Sequence, residues 1–362
     1  MNKAVTILAG TAVAAAVLIW VLAFSSGNLE ERRREGLSLF AAGRYAAAAE
    51  LLETCRPDAS VPVAEALALS WEKLGIEPAR RLDIWRKLAA DSPAEIRGEA
   101  LVRLGAAARE AGDADEAERH FAEAVSAAPG SPAAAAAALA LAELAAAAGE
   151  NAIEAYRSVM DSFPGTPQAA AAAESVGALD LEALLRGKGA EEYRVRPGDS
   201  LAGLAAVFKT TPELLRRVNR LNGDMIREGQ ILRIPPGTFS VVASKSENRL
   251  TLLRDGDFFM SFPVGTGRDS SSPVGEFEIV TKLVDPVWYS RDGEIPPGDP
   301  RNILGSRWLG FGEPYATFGI HGTTQPETIG TQSSSGCIRM LNADVELLFD
   351  LLPRGTRVTI VE

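Results

Sequence analysis

Histidine and cysteine are scarce in this chain. Its 362 residues hold two of each: His120 and His321, Cys55 and Cys337. Two cysteines are too few for a disulfide framework, and two histidines leave few candidates for any step that needs an imidazole. A basic surplus is also missing. Lys and Arg number 37 against 48 Asp and Glu, a formal net charge of −11. That argues against the basic face of a nucleic-acid binder and suits a soluble, self-repelling surface. The length implies two or three domains, and a hydrophobic share of 46% is ordinary for folded protein.

Charge is absent altogether from Ala4 to Phe24, a run that holds Val5, Ile7, Leu8, Val17, Leu18, Ile19, Trp20, Val21 and Leu22. A membrane-spanning helix needs about 20 mostly apolar residues, so 4–24 is expected to be a transmembrane anchor. Lys3 precedes it and favours an N-in, C-out orientation, whereas Arg32, Arg33 and Arg34 follow it and argue the other way. The rival reading is a signal peptide cleaved near Ala23-Phe24-Ser25; its apolar core would exceed the usual 7–15 residues.

Residues 28–185 read as helical repeats. Alanine, the best helix former, is abundant, and breakers recur: Pro129-Gly130-Ser131-Pro132 returns 35 residues later as Pro164-Gly165-Thr166-Pro167. Ala42-Gly43, Ala111-Gly112 and Ala148-Gly149 each fall between helical stretches. Helix–turn–helix units of about 34 residues mark tetratricopeptide repeats. The segment resembles about four degenerate copies, which implies an all-α array that stacks its units and serves a protein partner. Cys55 reads as a small buried thiol, and His120 as a partly packed helical side chain.

From 191 to 236 the pattern is strand, helix, helix, strand. Asp199 or Ser200 can cap the first helix; Thr211 caps the second, with Pro212 at its first position. Tyr193-x-Val195, Gly198-Asp199-Ser200-Leu201, Asn219, Ile226 and Gly229-Gln230-x-Leu232-x-Ile234-Pro235 resemble the LysM domain. The resemblance implies a small βααβ fold that binds N-acetylglucosamine chains such as the glycan strands of peptidoglycan. The groove would lie between Gly198, Asp199, Ser200 and Leu201 on one side and Asp224, Met225 and Ile226 on the other.

Residues 238–362 turn to strand period: Phe258, Met260, Phe262 and Val264 alternate, as do Phe277 and Ile279, then Val358 and Ile360. One helix intervenes, with Asn342 as expected cap and Val345, Leu348, Phe349 and Leu352 as its stripe. The expectation is a mainly antiparallel sandwich or barrel.

Chemistry concentrates in Phe318-Gly319-Ile320-His321-Gly322-Thr323 and Ser333-Ser334-Ser335-Gly336-Cys337-Ile338-Arg339-Met340. A thiol attacks only as thiolate and an imidazole can serve as its base. His321 is the only histidine of the β segment, so it is that base if Cys337 is the nucleophile. Ser335-Gly336 permits a tight turn, and the N–H groups of Gly336 and Cys337 could meet a developing oxyanion. These two blocks resemble the catalytic motif of the YkuD-like L,D-transpeptidases, as do Phe262-Pro263-Val264-Gly265-Thr266-Gly267, Ser272-Pro273-Val274-Gly275-Glu276-Phe277 and Leu304-Gly305-Ser306-Arg307-Trp308.

The resemblance implies that Cys337 attacks the amide before the terminal D-alanine of a stem tetrapeptide. D-alanine then leaves, His321 shuttles the proton, and an amine of a neighbouring stem resolves the acyl-enzyme. It implies no metal or organic cofactor. Gly322, Thr323, Ser335 and Arg339 are expected at the substrate, with Arg339 holding a carboxylate or making a structural ion pair. Residues 288–307 suggest a lid. Ser335 stands where many relatives carry a second histidine. Competing readings are an L,D-carboxypeptidase, in which water resolves the acyl-enzyme, attachment of a protein to peptidoglycan, and a non-catalytic wall-binding scaffold. A peptidoglycan substrate implies a single pass through the inner membrane, with every domain facing the periplasm or cell wall.

Overall fold

A computed structural model of the chain describes residues 28–55, 60–76, 78–290 and 293–362. The expected membrane segment, 4–24, lies outside them. Among the described residues no helix is long and apolar enough to cross a membrane. Two compact units divide at Ala169/Ala170.

The first unit is helical: α1 (28–41), then α2 (Tyr45–Glu53), α3 (Val61–Lys73), α4 (Pro78–Asp91), α5 (Ala94–Glu110), α6 (Ala114–Ala127), α7 (Pro132–Ala148) and α8 (Ala152–Ser162). Asp113 caps α6 by accepting from Glu116 N at 2.9 Å, and Ser131 caps α7 by accepting from Ala134 N at 3.1 Å, which satisfies N–H groups left over by the first helical turn. Leu52, Leu67, Trp71, Trp85 and Leu88 form one core, and Leu101, Phe121 and Ala137 another. Cys55 is fully buried and donates to Leu51 O at 3.1 Å, while His120 lies 3.6 Å from Glu116.

The dividing point falls inside α9 (Pro167–Leu185). In the second unit, β1 (Glu191–Arg194) pairs antiparallel with β2 (Ile231–Ile234) around α10 (Leu201–Val207) and α11 (Pro212–Asn219). Val195, Leu201, Leu204, Leu215, Leu232 and Ile234 fill this small core. Ser200 caps α10 through Gly203 N (3.1 Å) and Thr211 caps α11 through Leu214 N (2.9 Å). Asn219 clasps β2, accepting from Arg233 N at 2.7 Å and donating to Arg233 O at 2.8 Å.

The remaining strands are β3 (Phe239–Ser244), β4 (Arg249–Arg254), β5 (Asp257–Pro263), β6 (Thr266–Gly267), β7 (Gly275–Val284), β8 (Trp288–Ser290), β9 (Gly293–Ile295), β10 (Arg307–Phe311), β11 (Gly319–His321), β12 (Gln332–Ser334), β13 (Ile338–Arg339) and β14 (Arg357–Val361), with α12 (Asn342–Leu351) before the last. Eight of them run in the order β13-β11-β10-β7-β14-β3-β4-β5. Neighbours are antiparallel except β14–β3 and β11–β13. The long β7 joins the halves: Gly275–Glu278 pairs with β14 and Ile279–Val284 with β10. Phe277, Ile279, Val358 and Ile360 are buried while Glu276 and Glu278 face solvent, as the alternation predicts.

Two expectations shift. A bulge at Leu252/Leu253 breaks the period of β5, so Phe259 is the buried residue and Phe258 is not. Asn342 does not cap α12, which Leu341 precedes; its Oδ1 accepts from Ser306 N and its Nδ2 donates to Thr323 O, both at 3.1 Å.

The core of this β fold reaches beyond its own strands. Leu184 of α9 and Leu214 and Val218 of α11 are buried with Leu252, Ile279, Leu348 and Leu352. Thr211 Oγ1 hydrogen-bonds Asp350 O, and Arg217 pairs with Asp350 at 3.1 Å. Asp180 of α9 pairs with Arg254 at 3.4 Å.

Candidate active site

β11 and β13 lie side by side and parallel, with His321 opposite Arg339 and Ile320 opposite Ile338. Side chains alternate across a strand. Ile320, Ile338 and Met340 all enter the core, so His321, Cys337 and Arg339 fall on the other face together.

His321 is 2% exposed and its Nδ1 lies 2.5 Å from Gly322 O. A carbonyl only accepts, so Nδ1 carries the hydrogen and Nε2 is left with the lone pair. Trp308, opposite His321 on β10, stacks on the ring with centroids 5.8 Å apart. Burial holds the ring's pKa down to about 4, against the pull of the Gly322 carbonyl; the charge of Arg339 adds to the depression and the Leu304 carbonyl opposes it. The imidazole is a neutral base at every pH near 7.

Cys337 is half-buried. Burial raises its thiol pKa, with the Gly319 N–H and the charge of Arg339 opposing. Its Sγ donates to Thr317 O at 3.7 Å. At rest the pair is therefore a thiol and a neutral imidazole, not an ion pair. The turn before it is closed by Ser334, which donates to Cys337 O at 2.7 Å and accepts from Gly336 N at 3.1 Å. Gly336 has φ +127°, and a Cβ there would lie 2.5 Å from the Phe318 ring and 3.0 Å from Ser271 O; no other residue fits. Of the two N–H groups expected to face an oxyanion, that of Gly336 is taken by Ser334, and that of Cys337 has no partner among the described residues.

The remaining expected site residues separate. Gly322 is buried, and a Cβ on it would strike Asn342 Oδ1. Thr323 is 4% exposed and accepts from Gln325 N at 3.0 Å, so its hydroxyl serves a turn. Ser335 is exposed, and it is Ser334 that organises the loop. Arg339 is 9% exposed, and its buried Nε has no hydrogen-bond partner. Residues 288–307 hold the β8–β9 hairpin. Asn302 pins its base, donating to Pro286 O (2.9 Å) and Ile295 O (3.1 Å) and accepting from Leu304 N (3.0 Å). Sequence reasoning missed the roles of Asn302 and Trp308 and misplaced that of Asn342, since their partners lie elsewhere along the chain; it missed Ser334 because three serines stand side by side there.

In the small βααβ domain, Asp199 accepts from Tyr193 Oη at 2.9 Å and from Arg196 N at 2.7 Å. Gly198 has φ +87° and Leu201 is buried. In the second expected stretch Asp224 pairs with Arg216, Met225 is 83% exposed, and Ile226 packs on the small core.

Residues 238–360 match the L,D-transpeptidase catalytic domain family (YkuD), 193–235 the LysM domain and 99–131 a tetratricopeptide repeat. The chain is 40% identical over 131 residues to the putative L,D-transpeptidase YqjB of Bacillus subtilis, covering 35% of this chain and 73% of that one. It is 35% identical over 176 residues to the putative L,D-transpeptidase YkuD of Bacillus licheniformis, covering 46% and 97%. An NMR structure of the catalytic domain from E. faecium L,D-transpeptidase aligns over 35% of this chain and 98% of that chain, at 21% identity and a TM-score of 0.28. With a thiol and a neutral imidazole on one strand face and relatives matched over most of their length, this chain belongs to the YkuD-like L,D-transpeptidases.

Proposed function

We infer that the chain is a peptidoglycan L,D-transpeptidase that uses Cys337 as nucleophile and His321 as base. The observation that carries this is the His321 ring, buried, neutral and fixed through Nδ1 on the face that bears the thiol. In the reaction Nε2 takes the thiol proton as Sγ bonds the carbonyl carbon of the donor amide. The Cys337 N–H meets the oxyanion; the Gly336 N–H joins it only by leaving Ser334. The C–N bond breaks, the leaving amine receives the proton from His321, and a thioester remains. An acceptor amine then attacks the thioester carbon and gives a proton to His321, and Sγ departs and regains it. No step consumes an oxidant, reductant or cofactor.

The donor is a stem tetrapeptide that loses D-alanine, and the acceptor is an amine of a second stem. Gly198 to Leu201 and Asp224 to Ile226 border the glycan groove of a LysM domain spanning 191–236, with the catalytic domain at 238–362 and the repeats, 28–185, serving a protein partner. The chain works at the cell wall or in the periplasm, and the apolar run 4–24 supplies a single-pass inner-membrane anchor. Purified tetrapeptide muropeptides incubated with the protein should yield cross-linked dimers and free D-alanine by mass spectrometry. Trimmed tripeptides alone would assign it as a carboxypeptidase, and no product at all would sink the acyl-transfer reading.

A further inference from the structure

The His321 ring hangs from a carbonyl, and the segment that leads into β10 holds that carbonyl. Gly322 O receives the Nδ1 hydrogen of the ring, while Gly322 N donates to Arg307 O at 3.2 Å. The next residues are gripped by the same segment. Asn342 bridges the two stretches, accepting from Ser306 N and donating to Thr323 O, and Thr324 Oγ1 donates to Asn302 O at 3.4 Å. Gly305, at φ +64°, packs so closely that a Cβ on it would lie 2.5 Å from Thr323 N and 2.6 Å from Gly322 C. The Leu304 carbonyl is near enough to be felt at the ring itself. A displacement of 304–307 therefore moves the peptide that orients the imidazole.

One buried side chain ties 304–307 to the rest of the lid segment. Asn302 is 4% exposed. Its amide offers two N–H donors and an oxygen, and all are spent within that segment. They go to Pro286 O, just past β7, to Ile295 O, at the end of the β8–β9 hairpin, and to Leu304 N, where the chain returns. Ile295 and Leu304 are both buried, but apolar burial has no direction and does not by itself fix where the backbone of Leu304 points. The amide does. We propose that Asn302 is a positioning residue for the base: it locks the hairpin and the return arm 304–307 into one piece, and that piece sets the orientation of the His321 ring toward Cys337. This rests on the acyl-transfer reading and adds to it that the lid segment supports the base as well as flanking the site.

The test follows the ring itself by NMR of the full chain carrying isotope-labelled histidine. His120 and His321 are the only two signals, and His120→Gln tells them apart. In the wild type His321 should titrate near 4. Asn302→Ala frees the support and lets water reach the ring, so its titration should move up toward 6.5. Cys337 and Arg339, the titratable groups on the ring's own face, stay in place. A misplacement of about 1 Å can cost 10²-fold in rate, so kcat for release of the terminal residue from a tetrapeptide donor should fall roughly 10- to 100-fold, with KM changed less than threefold. Asn302→Asp keeps an oxygen for Leu304 N and loses the amide donors; it should fall between, and it decides the matter if Asn302→Ala does not fold. A folded variant whose ring still titrates near 4, or whose kcat stays within twofold of wild type, overturns the proposal however far its melting temperature falls, because Asn302 would then only stabilise the fold. A wild-type ring that titrates near 6.5 overturns it too. The titration needs no turnover, so absence of donor release by the wild type refutes the acyl-transfer reading, and the base role with it, whatever the ring does.

Discussion

His321 is tuned in an unusual direction for a histidine base, and the pH behaviour follows. Burial disfavours the charged ring, so the lone pair persists until the pH falls through about 4. The acid limb of kcat/KM should therefore centre near 4 and not near 6.5, with little change between pH 7 and 5; a limb near 6.5 would mean a solvated ring. The same shift appears in folding. Between about 6.5 and about 4 the unfolded chain binds a proton that the folded chain refuses, so stability falls with pH across that window and about 3 kcal/mol is lost by its lower end. Denaturant titrations of His321→Gln and wild type at pH 7 and 4 measure the difference. Ser334 gives a second prediction. Ser334→Ala should cost roughly 10-fold or more in turnover, because Gly336 N and Cys337 O lose their shared partner, while Ser335→Ala should change turnover less than twofold. The sequence marks the catalytic thiol and imidazole plainly because few others exist. It does not say which of three consecutive serines turns inward, since that depends on the phase of β12 against β6, where Ser334 lies opposite Gly267.

At the scale of elements, α11 carries most information that the sequence concealed. Its apolar residues Leu214, Leu215 and Val218 read as one face of a two-helix domain. The structure divides them: Leu215 fills the small βααβ core, and Leu214 and Val218 enter the core of the β fold. A periodicity shows that a helix is amphipathic but not how many neighbours share its apolar arc. Leu214→Ala should therefore lower stability by about 2–5 kcal/mol, and calorimetry should show residues 191–362 melting in one transition that shifts as a whole. Two separated transitions, with only one moved, would show the domains to be independent. The phase shift in β5 has the same origin. A bulge adds one residue to one strand of a pair, and its place is set by the partner β4, so alternation within β5 alone pointed to Phe258.

For the molecule as a whole, the natural cutting point in the sequence is not a natural cutting point in the packing. The match to the catalytic family begins at residue 238, yet a fragment that starts there would lose Leu184, Leu214 and Val218 from its core. Burial of three such side chains is worth roughly 5–9 kcal/mol, comparable to the net stability of a typical domain. A fragment from Thr238 should be insoluble or poorly packed, whereas one from Ala170 should give a cooperative melt and dispersed amide resonances. Domain order and identity were legible from the sequence because each module carries a local signature. The joint between modules has no signature, being made of two leucines, a valine, the Thr211–Arg217–Asp350 contact and the Asp180–Arg254 pair.

That joint has a consequence for how the wall is read. A binding module on a flexible leash raises the local concentration of substrate and leaves the choice of bond to chance encounters. Here Pro235, Pro236 and Gly237 leave almost no leash, and α11 is wedged into the catalytic core. Whatever the βααβ domain holds is thus kept at one separation from the catalytic core, and that separation is set by a single helix.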